Sequence, residues 1–325
     1  MSDSTTPRTR GRGTNHLMAR TVFGVTLYES AAHVPEALET LLCQREGDLA
    51  LVMVDDASRD ATARIAARYA ELDPRATLVR NPERLGLVGS WRRALELARE
   101  HHPEAEYFAW ASDHDAWSPR WLERLAAELD AHPEAVLAYP QSVRIGERGE
   151  ALREQPPWSF DTAGVVDPAR RLAQFARAAV AGDMVYGLFR IDPLTRLGFP
   201  GALAPDRLLL ARMCLAGQFR QVPEVLWHRR YVTKVSSRRQ RAAFFPRGAP
   251  VWSWLPWPLA HFALLARDLA LRGAERPRIG RVAGLVLAAR YLWHSTARQV
   301  RKQALRPIGL ASRLLRRGLR ALGSR

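Results

Sequence analysis

From Thr21 to Tyr139, short apolar runs alternate with segments whose apolar positions recur every three or four residues. TVFGVTL (21–27), LALVMV (49–54), ATLV (76–79), EYFAWA (106–111) and AVLAY (135–139) have strand length and almost no polar interruption. That is the pattern of strands covered on both faces. Between them, Leu38, Leu41 and Leu42 follow Pro35 on one helical face. Ile65, Tyr69 and Leu72 stand in register from about Ala61, and Leu87 to Glu100 reads as a third helix. Ser118 and Pro119 form an N-cap and first-turn pair for a helix running through Leu129. Strand–helix alternation with connections of a few residues predicts an α/β fold with a doubly wound, mostly parallel sheet. Such sheets bind ligands beyond the carboxyl ends of their strands.

Composition changes this picture little, but charge does. Of 325 residues, 47% are hydrophobic and 25% charged, which excludes wholesale disorder and coiled coil. Two cysteines, Cys43 and Cys214, are too few for a disulfide framework and fit a reducing compartment. The formal net charge of +16 suggests nucleic acid until it is located. Residues 267–325 carry fifteen Lys+Arg against Asp268 and Glu275, and Arg8, Arg10, Arg12 and Arg20 stand against Asp3 in the first twenty. Residues 21–266 are therefore neutral overall, and the basicity belongs to the two ends. No recognised DNA- or RNA-binding motif accompanies it, so no nucleic-acid partner is expected. Residues 1–20 read as a disordered basic lead-in without the apolar core of a secretory signal.

Candidate chemistry gathers at the strand ends. In Asp113-His114-Asp115, residues two apart in an extended segment point to one side, so both carboxylates can face a divalent cation carrying a diphosphate. Two-apart acids are also common in solvated turns. Asp55-Asp56 ends the second strand, where either acid can accept bonds from a base or ribose, or else cap the next helix. Asp60 reads as a helix cap. Asp206, after Pro205 and before an apolar run from Leu208 to Met213, is a rim carboxylate or a helix cap.

VDDASRD (54–60), NPERLGLVGSWRRAL (81–95) and SDHDAW (112–117), in that order, resemble the family 2 glycosyltransferases. VTLYES (25–30) with HVPEALETLLCQ (33–44) resembles that family's first strand and helix. AGDMVYGLFR (181–190) and PDRLLLARMCLAGQFRQVPEVLWHRR (205–230) resemble its acceptor half. The resemblance covers residues 21–237 and implies a GT-A, Rossmann-like fold over 21–240 and a nucleotide-sugar donor. By it, Thr26 and Tyr28 line the nucleotide pocket, Asp55 or Asp56 holds the base, and Arg84 lies on the nucleotide side. Asp113 and Asp115 hold the ribose and a Mg²⁺ or Mn²⁺ diphosphate, and Asp206 is the general base. Apart from the resemblance, the guanidinium forks of Arg229 and Arg230 match the oxygens of a departing diphosphate, or else these arginines are surface charges. The implied reaction is an inverting displacement by a glycan or glycolipid hydroxyl. One departure stands out: Tyr231 occupies the place where the family often has a histidine, with His228 as a possible substitute. A catalytically silent scaffold of the same fold is the second reading, and a basic nucleic-acid-binding protein the third.

Residues 241–325 read as an amphipathic, basic, helical extension. Residues 249–266 are an uncharged stretch rich in tryptophan, but with three prolines in the first ten positions, which argues against a continuous spanning helix. Ile308, Ala311, Leu315, Leu319 and Leu322 make an apolar stripe flanked by arginines. This pattern predicts contact with an anionic membrane surface, and with it a cytoplasmic location on the membrane's inner face.

Overall fold

The computed structural model describes residues 19–152, 159–178, 181–231, 237–271 and 280–300. Of the lead-in expected over 1–20, residues 1–18 lie outside the described residues, as does the apolar stripe at 307–325; Ala19 is buried and Arg20 pairs with Glu106 and Asp130, so these two belong to the folded body. The first half runs β1 (Thr21–Leu27), α1 (Val34–Leu42), β2 (Leu49–Asp55), α2 (Thr62–Leu72), β3 (Ala76–Arg80), α3 (Gly86–His101) and β4 (Tyr107–Ser112). Then come β5 (Ala116–Trp117), α4 (Trp121–Ala131), β6 (Ala135–Ile145), α5 (Pro168–Ala178) and α6 (Ala181–Met184). The remainder is β7 (Leu188–Arg190), α7 (Ile191–Leu197), α8 (Pro205–Ala216), β8 (Gln218–Arg230), α9 (Ser237–Phe244) and α10 (Trp257–Leu271). A further helix occupies 281–300.

One eight-stranded sheet has the order β3-β2-β1-β4-β7-β6-β8-β5. β3, β2, β1 and β4 are parallel, as the apolar runs predict, and all seven residues of β2 are buried. The short β7 enters antiparallel between β4 and β6, β8 is parallel to β6, and β5 is antiparallel to β8. The chain moves from β1 outward through β2 to β3, then returns to place β4 on the other side of β1. This makes the carboxyl ends of β1 and β4 the switch point, where a crevice opens in folds of this kind.

Alternate residues of each strand feed two cores. Val22, Val52, Val54, Phe108 and Trp110 face α3, α5 and α8, whereas Phe23, Val25, Leu51, Met53 and Ala109 face α1 and α4. Trp110 anchors the first core, stacked on Trp91 at 5.5 Å and edge-on to Phe108, Phe189 and Phe199. Its indole N–H donates to Trp91 O at 3.0 Å, so burying this large ring leaves no donor unpaired.

Two local expectations change. Helix α4 begins at Trp121, not at Pro119, because Ser118 O accepts the Trp121 N–H and Ser118 Oγ the Arg120 N–H, forming a turn ahead of the helix. Leu72, expected on the inner face of α2, is exposed at the helix end.

The C-terminal helices dock on the α/β body. Ala260, His261, Leu264, Leu265, Asp268 and Leu269 of α10 are buried, as are Leu287, Ala288 and Tyr291 from 281–300. Asp268 pairs with Arg212 of α8 at 2.5 Å, both nearly inaccessible. Much of the stretch read as membrane-facing is therefore a packing element.

His261 makes this docking sensitive to acid. Burial, helped by the charges of Arg207 and Arg212, pulls its imidazole down to about 3 from 6.5. The unfolded chain takes up a proton near the ordinary value while the folded protein stays neutral. This contribution is complete above pH 6.5 and is lost progressively as pH falls toward 3. Between pH 7 and 5 the loss through His261 is about 2 kcal/mol. In urea unfolding, His261→Gln should therefore lose less stability over that interval than the wild type. Equal losses would show that His261 is not the responsible group.

Candidate functional site

The loops at the carboxyl edge are fixed from both sides of the switch point. Beyond β1, the Tyr28 N–H donates to Asp113 Oδ2 at 2.8 Å and the Ser30 hydroxyl donates to Asp113 O at 3.1 Å. Ser58, Thr62 and Asp60, from the loop after β2 and the first turn of α2, accept the N–H groups of Glu29, Ser30 and Ala31. Asp60 also accepts the Thr62 N–H at 3.0 Å, so it caps α2 as its sequence position suggested. Among the described residues, three non-glycines adopt left-handed backbone conformations, Glu29 (φ 47°), Ala57 (φ 59°) and Ala204 (φ 51°). All three lie in rim loops, and such conformations persist only where neighbours hold them.

The adjacent acids Asp55 and Asp56 do different work. Asp55 is fully buried; its carboxylate accepts the Ser58 N–H at 3.2 Å and meets Arg80 at 3.2 Å. Asp56 turns toward the start of α3, accepting from Asn81 Nδ2, Leu85 N and Gly86 N at 3.1, 2.6 and 2.9 Å. It thereby supplies an acceptor that the N-terminus of α3 otherwise lacks. Arg84 lies 3.7 Å from Asp56 and stacks its guanidinium over the Tyr28 ring at 3.8 Å.

Asp113 sits at the mouth of the crevice, and His114 Nδ1 donates to it at 2.8 Å. Burial opposes charge on His114, yet the Asp113 hydrogen bond and the charges of Asp115 and Asp113 together raise its pKa. Asp115 is turned inward, accepting the Arg230 N–H at 2.7 Å, and burial pushes its carboxyl upward. Arg230 is the keystone of this corner. Its guanidinium donates to His114 O, Gly146 O and Glu147 O at 2.7, 2.8 and 2.6 Å, and also to Glu36.

Asp206 is half-buried in the first turn of α8, after the left-handed Ala204 and Pro205. Burial raises its carboxyl above the ordinary carboxylate range, against the backbone N–H of Arg207 and the charges of Arg207 and Arg229. Arg229 pairs with Asp183 at 2.7 Å, and its charge also reaches Asp115. Tyr186 is the element in common: its phenol feels Asp115, Arg229, Asp113 and Asp206.

A cavity of about 590 Å³ opens at the switch point. Five expected residues line it, Thr26, Tyr28, Asp56, Arg84 and Asp113. Asp55, Asp115, Asp206 and Arg229 do not, although the field of Asp206 reaches the cavity wall at Tyr186. The cavity also takes in Arg230 and Tyr231 of the Trp227–Tyr231 stretch, and His33, Ser90, Glu147 and Tyr186, for which the sequence offered no site role. Tyr186 lay within AGDMVYGLFR, a segment noted for its resemblance but offering no charge to single out. Tyr231 does reach the cavity, whereas His228 does not line it. Among the described residues, no three His, Cys, Asp or Glu side chains converge as a metal cage. Of the Asp113–Asp115 pair only Asp113 lines the cavity, while Asp115 is held inward by the Arg230 N–H, so the two carboxylates expected to face one cation are not both presented there. The Asp113 carboxylate alone is a partial oxygen set of the kind that Mg²⁺ or Mn²⁺ completes with phosphate oxygens and water.

Residues 23–178 match the family model described as glycosyl transferase family 2. That segment is similar to a family 2 domain over just under half of the chain. The M. tuberculosis protein Rv1520, uncharacterized, is 28% identical over 221 residues, 64% of this chain and 60% of that protein. The chain thus spans less than two thirds of the length of the relatives it matches. Residues 1–349 of S. aureus TarS superpose with a TM-score of 0.58 at 17% identity, covering 86% of this chain and 72% of that one. The same TarS fragment in complex with UDP-GlcNAc gives 0.59 at 16%, covering 86% and 73%. The described residues therefore have a GT-A-like fold: a curled, mostly parallel eight-stranded sheet with helices on both faces. Its cavity lies at the carboxyl ends of β1 and β4.

Proposed function

We propose that this protein transfers a glycosyl group from a nucleoside-diphosphate donor to an acceptor hydroxyl with inversion. The observation that carries the reading is the cavity at the switch point. It joins an aromatic–guanidinium pair (Tyr28 and Arg84) at Asp56 to a carboxylate-bearing strand end at Asp113. The family match supports the chemistry, and the structure of TarS with UDP-GlcNAc supports a nucleotide-sugar donor of that general class.

Tyr28, Thr26, Asp56 and Arg84 hold the nucleoside, and Asp113 receives the ribose. Asp113 would hold a Mg²⁺ or Mn²⁺ ion, which when bound offsets the negative charge gathering on the departing diphosphate. Arg229 adds a fixed positive charge on the side facing Asp115 and Asp206. Asp206 takes the acceptor hydroxyl's proton as that oxygen bonds to the anomeric carbon. The bond from that carbon to the phosphate oxygen breaks at the same time, and the nucleoside diphosphate leaves with the electron pair. Burial raises the Asp206 carboxyl, which makes it a stronger base than an exposed aspartate. The test is release of nucleoside diphosphate from UDP-, GDP- and dTDP-sugars, with and without Mn²⁺. Turnover of one nucleotide class supports the reading, and no turnover across the panel by folded protein favours a silent scaffold.

The acceptor side points to a glycan or glycolipid of the cell envelope at a membrane surface. No described helix is long and apolar enough to cross a membrane. A lipid-facing surface is nevertheless supported by exposed Val251, Trp254, Val282 and Trp293 beside Arg281 and Arg290. Tryptophan among basic residues suits the headgroup region of anionic lipid on the cytoplasmic face. Flotation with anionic vesicles should carry the protein upward, and Trp254→Ser with Trp293→Ser should reduce that binding. Equal, negligible flotation with anionic and neutral vesicles would rule the surface out.

A further inference from the structure

We propose that the C-terminal helices act as a positioning clamp on the Asp206 loop through His261 and Tyr291, so that residues far outside the family-matched segment govern the transfer step. This rests on Asp206 being the base. His261 Nε2 lies 2.8 Å from Leu203 O, and its Nδ1 lies 3.0 Å from the Tyr291 hydroxyl. A carbonyl can only accept, so Nε2 carries the hydrogen. The buried imidazole stays neutral, so Nδ1 accepts and Tyr291 donates. The order is therefore fixed: Tyr291 O–H to His261, then His261 N–H to Leu203 O. The ring is wedged between Trp257 at 4.9 Å and Tyr291 at 6.0 Å, which leaves it little freedom to turn away.

The carbonyl so held lies three residues before Asp206. Between them, Ala204 adopts φ 51° and ψ 52°, a left-handed backbone on a residue that has a Cβ and precedes proline. Such a conformation persists only when its surroundings fix it, and the His261 hydrogen bond to the preceding carbonyl does so. The same C-terminal helix grips α8 itself, through Asp268 to Arg212 at 2.5 Å and through Trp257 beneath the Arg207 guanidinium at 5.3 Å. The loop and the helix that carry Asp206 are thus both referenced to α10. This arrangement gives a buried histidine, an internal aromatic and a buried ion pair one common purpose outside the cavity.

The test compares His261→Leu, His261→Gln and Tyr291→Phe with Asp206→Asn. Three quantities are read: nucleoside-diphosphate release from the sugar-nucleotide panel, UDP affinity by calorimetry, and hydrogen exchange in peptides covering 199–207. His261→Leu should lower kcat by about 10- to 100-fold, the scale of a misplaced catalytic group. UDP affinity should stay within about two-fold, and exchange should quicken in 199–207 but not in the sheet. His261→Gln, whose amide nitrogen reaches the Nε2 position, should recover most of the turnover, and Tyr291→Phe should fall between. If His261→Leu does not fold, Tyr291→Phe decides, since it lacks only a hydroxyl. Slower turnover with faster loop exchange supports the clamp, and wild-type values of both overturn it. An inactive Asp206→Asn beside fully active His261 and Tyr291 variants overturns the clamp and leaves the base in place. A fully active Asp206→Asn removes the base, and the clamp's catalytic role with it.

Discussion

Asp206→Asn is expected to lower transfer by about 10²- to 10⁴-fold, the range that a positioned general base supplies, while nucleotide affinity stays unchanged. The split follows from where the residue stands. Asp206 does not line the cavity that holds the nucleoside, yet its charge reaches that cavity's wall at Tyr186 and is felt beside Arg229. Removing its negative charge should therefore leave donor binding alone and strand the acceptor's proton. Stability supplies an independent check. Because burial raises the Asp206 carboxyl, the ionised form is a cost to the fold. Asn keeps the shape and stays neutral, so its melting temperature should equal or exceed that of the wild type. The helix N-terminus offsets this only by the ~0.3–1 kcal/mol that a first-turn acid gains. An active Asp206→Asn, or one that has lost nucleotide affinity along with turnover, would assign Asp206 to another role.

Arg230→Ala carries the largest expected loss of stability. Its guanidinium joins the loop containing Asp113 and Asp115 to the end of β6 and to α1, and the residue is buried. Truncation leaves the carbonyls of His114, Gly146 and Glu147 without this donor. Gly146 O keeps the Gly149 N–H, so at ~1–3 kcal/mol for each group left unpaired the other two carbonyls give an expected loss of about 2 kcal/mol or more. Arg230→Lys should rescue little, because one ammonium cannot serve acceptors spread along a guanidinium fork. Nucleotide affinity should fall as well, since the strand end bearing Asp113 loses its brace. A urea midpoint within 1 kcal/mol of wild type would mean that these carbonyls find other partners or water.

These two residues also mark what could be read from the sequence. Strands covered on both faces announce themselves as unbroken apolar runs, so β1 to β4 and the parallel half of the sheet were legible. The antiparallel insertion was not. β7 has three residues, and its place between β4 and β6 depends on pairings 50 or more residues apart, such as Leu137 with Phe189. Asp55 and Asp56 are alike in sequence and opposite in orientation, because Asp55 closes a strand while Asp56 precedes the left-handed Ala57. The sequence offered Arg230 only as a phosphate clamp or a surface charge, and no local pattern marked it as a brace, because its partners lie on three distant segments. In the C-terminal region the packing was not legible for a related reason: Asp268 and His261 find Arg212 and Leu203 only in three dimensions.

The central claim is that the switch-point cavity is a donor site, and the most direct measurement is the thermal shift of the protein with UDP, GDP and dTDP and their sugars. Each is added far above its dissociation constant, with Mn²⁺ or with chelator, to wild type and to Asp113→Asn. A ligand at 100 times its dissociation constant stabilises the folded state by about 2.7 kcal/mol, which is ample to detect. The account predicts a shift for one nucleotide class, larger with Mn²⁺ and reduced in Asp113→Asn. No shift for any nucleotide in folded wild-type protein, or one that Asp113→Asn leaves untouched, would contradict it.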